Sequence, residues 1–71
     1  MFVSLSEYNL SRNEIENLIF QWIFSERDRQ IAKRRFLDGI RYEKLAEEFD
    51  LSTQQTKTII RKVKDELIKH I

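Results

Sequence analysis

The 71-residue chain has no cysteine and no proline, and it has one residue each of glycine, histidine, methionine and tryptophan. Each shortage excludes something. Without cysteine there is no disulfide framework, no thiolate zinc site and no cysteine nucleophile. A lone histidine, His70, builds neither a histidine metal cluster nor a proton relay, and with no companion near it in the sequence it is read as a bystander. No apolar run is long enough to cross a bilayer and no signal peptide opens the chain, so the expectation is a cytoplasmic protein with no membrane partner. Absent proline and scarce glycine favour helix over turn-rich sheet. A chain this short has room for one domain, not for a cofactor fold beside a substrate domain. No cofactor and no metal are expected.

What is present is charge and a modest apolar set: 35% charged and 41% hydrophobic residues, enough for a small core under a solvated surface. The net charge of +1 conceals a division along the chain. Residues 27–35 hold five basic residues and one acid, and residues 51–71 hold five basic residues and two acids. Between them lie Asp38, Glu43, Glu47, Glu48 and Asp50. Two basic segments separated by an acidic one suggest a positive and a negative face, and a positive face suits an anionic partner. The plainer alternative is that these side chains only solvate helices.

The apolar spacing predicts an all-α, four-helix domain over 11–71 with a C-terminal helix-turn-helix at about 41–69, after a lead-in at 1–10 that shows no helical pattern. Ser11 and Glu14 have capping-box spacing, so the first helix begins there. Ile15, Leu18, Ile19, Trp22 and Ile23 form its inner stripe, while Phe20 and Phe24 lie off it and either cover a neighbouring element or face a partner. A second helix follows Ser25, with Glu26 and Asp28 in the first turn where the helix dipole favours acids, and Asp38-Gly39 ends it. A short third helix covers about Tyr42 to Phe49, with Tyr42, Leu45, Ala46 and Phe49 inward. Asp50-Leu51-Ser52 is a tight connection, and Ser52 with Gln55 again has capping-box spacing. The fourth helix turns Thr56, Ile59, Ile60, Val63, Leu67 and Ile71 to one side and Gln54, Thr58, Arg61, Lys62 and Asp65 to the other. The expected core is Ile15, Leu18, Ile19, Trp22, Ile31, Phe36, Leu45, Ala46, Phe49, Leu51, Ile60, Val63 and Leu67.

A short helix, a tight turn and a longer helix with Gln, Thr, Lys and Arg on its outer face is the layout of a helix-turn-helix DNA reader. Gln pairs with adenine, Arg and Lys pair with guanine, and a Thr methyl meets a thymine methyl. The first N–H groups of the fourth helix suit a phosphate, and the 27–35 stretch suits the flanking backbone. The competing reading of the same layout is a helical bundle ending in an ordinary amphipathic helix.

The stretch from Glu26 to Leu67, ERDRQIAKRRFLDGIRYEKLAEEFDLSTQQTKTIIRKVKDEL, resembles region 4 of bacterial RNA polymerase sigma factors. The resemblance rests on Arg35-Phe36-Leu37-Asp38-Gly39, then Tyr42-Glu43-Lys44-Leu45-Ala46, then Leu51-Ser52 opening the last helix. It implies that Thr53, Gln54, Lys57 and Thr58 face base edges and that Arg61 and Lys62 lie along phosphates. Arg34, Arg41 and Ser52 join them as candidate phosphate contacts. Three departures stand out. Asp50 occupies the turn position where the family commonly has Gly, Arg41 stands where Ser or Thr often caps the third helix, and no region 2 is present. The resemblance therefore implies a stand-alone region-4-like protein of bacterial or phage type, with double-stranded DNA as partner and RNA polymerase as a second one. Phe20 and Phe24, outside the matching stretch, are the candidate partner-contacting residues, for polymerase or for a weak homodimer.

No catalytic residues are expected. Glu47 and Glu48 are adjacent and do not share a helix face, and Ser4, Ser6, Ser11, Ser25 and Ser52 have no base beside them. The alternative from another class is a small helical adaptor, or an anti-sigma-like protein that binds polymerase or another protein rather than DNA. The acidic middle, the off-stripe aromatics and the near-zero net charge suit that alternative.

Overall fold

The computed structural model describes residues 10–71, and the lead-in at 1–9 lies outside the described residues. Four helices follow in order: α1 (Arg12–Trp22), α2 (Glu26–Phe36), α3 (Tyr42–Glu48) and α4 (Thr53–Ile68). There is no strand among the described residues. Local chemistry sets each start. Ser11 closes a capping box on Glu14, with the Glu14 N–H donating to Ser11 Oγ at 3.2 Å and the Ser11 N–H donating to Glu14 Oε1 at 3.1 Å. Ser25 caps α2 by accepting from the Asp28 N–H. Arg41 stands at the N-cap of α3 with no side-chain cap bond, as a residue with no acceptor must. Gly39 ends the α2 turn at φ +68, a conformation that costs glycine little, and the Ile40 N–H then donates to the Arg34 carbonyl at 3.2 Å.

α4 packs on the other three helices and joins two apolar clusters. One consists of Ile15, Ile19, Ile23, Ala32, Val63 and Leu67, and the other of Ile31, Leu45 and Ile60. Half-buried Phe36 and Ile59 touch both. Thr56 is also fully buried; its hydroxyl donates to the Ser52 carbonyl at 3.0 Å, so burial leaves no polar atom unpaired.

The expected core holds for Ile15, Ile19, Ile31, Leu45, Ala46, Ile60, Val63 and Leu67, while Leu18, Phe36, Phe49 and Leu51 are half-buried at its edge. Trp22 is a correction: it is 38% exposed. The chain leaves the helix at Ile23, and Ile23, in extended backbone, takes the inner place instead. The Trp22 indole lies flat on the His70 imidazole, centroids 3.5 Å apart. His70 in turn meets Glu66 Oε2 at 3.1 Å and packs over Trp22. The spacing within either helix could not show this pair, because its members are 48 positions apart.

Polar ties brace the outside. Arg29 in α2 donates from Nη2 to the Phe20 carbonyl at 2.8 Å and from Nε to the Ile23 carbonyl, closing the C-terminal end of α1. Arg12 at the start of α1 reaches Asp38 at 3.3 Å, and Asp38 also faces Arg34 at 3.6 Å. Arg34 then crosses to Glu48 in α3, donating from Nε to Oε1 at 3.1 Å and from Nη2 to Oε2. One line of alternating charge thus links α1, the α2–α3 turn, α2 and α3.

Candidate nucleic-acid interface

The interface is set by the turn between α3 and α4. Phe49 closes α3, and Asp50 takes φ 56, the left-handed conformation that Asp tolerates better than most side chains. The Leu51 N–H donates to the Ala46 carbonyl at 2.8 Å and the Asp50 N–H to the Glu47 carbonyl at 3.3 Å. These two bonds form the helix-ending pattern usually built on glycine. Asp50 therefore does here what glycine commonly does at helix ends. Ser52 then opens α4 with a full capping box: the Gln55 N–H donates to Ser52 Oγ at 3.0 Å and the Ser52 N–H donates to Gln55 Oε1 at 2.9 Å. The N–H groups of Thr53 and Gln54 remain directed along the axis, where a helix start attracts anions.

The inner side of α4 is apolar and buried through Thr56, Ile60, Val63 and Leu67, so the opposite ridge is fixed outward. On it Gln54, Lys57, Arg61 and Lys62 are exposed, and Thr53 and Thr58 are half-buried. The Thr58 hydroxyl donates to the Gln54 carbonyl at 3.0 Å, back along its own helix. Of the expected base contacts, the structure brings Gln54, Lys57 and Thr58 together on one ridge, with Thr53 at its end.

A shallow cleft flanks each side of this ridge. One is lined by Leu51, Ser52, Gln54 and Thr58 and by Arg27, which α2 brings alongside. The other is lined by Tyr42, Lys57, Ile60, Arg61 and Lys64. The half-buried Tyr42 ring carries the Arg35 guanidinium at 4.2 Å and the Lys57 ammonium at 5.8 Å. Tyr42 and Lys64 were not among the sequence candidates, and Arg27 entered only as part of the 27–35 stretch. The spacing of Lys57, Arg61 and Lys64 at i, i+4 and i+7 was a usable signal for Lys64, whereas Arg27 and Tyr42 reach the site only through tertiary packing.

The remaining candidates divide. Arg41 is exposed at the start of α3. Arg34 faces Glu48 and Asp38, so its guanidinium is spent on bracing. The Arg34 hydrogen bond holds the Glu48 carboxyl below its ordinary range, and the same bond raises Arg34 above its own. Phe20 and Phe24 are exposed, at 67% and 79%, and the Arg29 guanidinium lies over the Phe20 ring at 4.7 Å. Comparison of the chain with protein-family models, curated proteins and solved structures finds no match.

Proposed function

We propose that this protein binds double-stranded DNA without catalysis, laying α4 in the major groove as a stand-alone reader similar to sigma region 4. The observation that carries the reading is the outward ridge of Gln54, Lys57, Thr58 and Arg61 on a helix whose other side is locked into the core. A major-groove helix needs that division: an apolar back for rigidity and a front of hydrogen-bonding and cationic groups at i, i+3, i+4 and i+7. Gln54 is the adenine reader, the Thr58 methyl meets a thymine methyl, and Lys62 with Arg61 follows the backbone.

Selection of bound sites from random duplex, followed by affinity measurement, tests this. Gln54→Ala is expected to lose about 1–3 kcal/mol of discrimination at one base pair while random duplex is bound as before. Equal weakening of selected and random duplex would show that α4 does not read sequence. If neither duplex is bound by the intact protein, the reading fails.

A second reading, as a protein-docking adaptor on RNA polymerase or another protein, is favoured by one observation, the exposure of Phe20 and Phe24. Co-purification with polymerase subunits and no shift of duplex DNA would support it over the first.

A further inference from the structure

We infer that the cleft between Tyr42 and the Lys57–Arg61–Lys64 row of α4 seats a backbone phosphate of one DNA strand, so that Lys57 anchors the duplex instead of reading a base. The inference rests on the DNA-binding reading above and changes the role that the sequence resemblance implies for Lys57.

Three observations carry it. First, the lining holds three cations, and no carboxylate among the described residues. Lys57 and Arg61 make no ion pair with any described residue, whereas Arg12, Arg29 and Arg34 are each held by an acid. Lys57 and Arg61 stand at i, i+4, where like charges repel weakly, and an anion between the two relieves that repulsion. Second, the Lys57 ammonium lies 5.8 Å from the centroid of the Tyr42 ring of α3, so from its place on the ridge it reaches the α3 side of the cleft. Third, buried Ile60 forms an apolar floor, where charge attraction is less screened than in open water. A phosphodiester fits this set: its oxygens accept from the point charge of a lysine and from the planar fork of an arginine together. The position is also right, because phosphate walls run on either side of a helix lying in the major groove.

The test measures binding of selected and random duplex over a range of salt for the intact chain and for Lys57→Ala, an exposed position where folding is not at stake. Lys57→Ala is expected to weaken both duplexes to the same degree and to lower the slope of log affinity against log salt by about one unit. A neutral methylphosphonate scanned along each strand should weaken the intact protein at one phosphate, and Lys57→Ala should be insensitive at that same phosphate. If Lys57→Ala instead alters preference at a single base pair with the salt slope unchanged, Lys57 reads a base and the inference is overturned. If the intact chain binds no duplex at any salt, it is the DNA-binding reading itself that falls.

Discussion

Asp50 shows how a single position governs the way α4 leaves α3. Its φ of 56 turns the chain from α3 into α4, and two backbone hydrogen bonds depend on that turn. Asp50→Gly keeps the turn and removes the side-chain clash, so it is expected to be neutral or mildly stabilising. Asp50→Val places a branched side chain in the same conformation and should cost roughly 1–2 kcal/mol, read from urea denaturation. Unchanged stability in Asp50→Val would mean that the turn is not held in this form. Buried Leu45 is the contrasting case, because nothing about its backbone is special: Leu45→Ala leaves a cavity in the cluster with Ile31 and Ile60 and should cost about 2–5 kcal/mol in the same measurement.

The helices themselves were legible in the sequence because their starts are encoded by short-range pairs. Ser11 with Glu14 and Ser52 with Gln55 are each three residues apart, and both close their boxes. The ridge of α4 was legible for the same reason, since periodicity alone assigns Gln54 and Ile60 to opposite sides. What could not be read were the ties between elements. Arg34 looked like a phosphate contact because it sits in a basic run, yet Glu48, which holds it most closely, comes from α3, while Asp38 at i+4 was a partner the sequence did offer. Tyr42 looked like plain core, yet its ring gathers cations from α2 and α4. The Arg34–Glu48 tie between α2 and α3 gives a pH signature of fixed sign. Glu48 is held below the ordinary carboxylate range, so its contribution to stability is complete above that range and is lost as pH falls through the lowered value. Glu48→Gln is therefore expected to lower the melting temperature at neutral pH and to leave a shallower decline on acidification. Parallel melting curves for the two proteins from neutral pH down to about pH 2 would contradict this tie.

Across the whole molecule, the exposed cations of the α4 ridge and the exposed phenylalanines lie on different elements: Lys57, Arg61 and Lys62 on α4, and Phe20 and Phe24 on α1 and just beyond it. Two phenylalanines supply far less area than the ~800 Å² per partner of a standard interface, so any self-association they drive is weak. Sedimentation of the intact chain is expected to show mass rising only at high concentration, and Phe20→Ser with Phe24→Ser should stay monomeric with its melting temperature unchanged. A wild-type mass independent of concentration would remove the homodimer and leave the pair for a different protein. The stack of Trp22 on His70 has a practical consequence as well. Trp22 is the chain's sole indole, and its neighbour follows the last helical residue of α4 by two positions. Its emission is thus an optical gauge of the seam between α1 and the end of α4, blind to the turn that presents the ridge. Fraying of that seam on warming should redden the fluorescence before circular dichroism registers any loss of helix, and both signals moving together would mean that the seam melts only with the core.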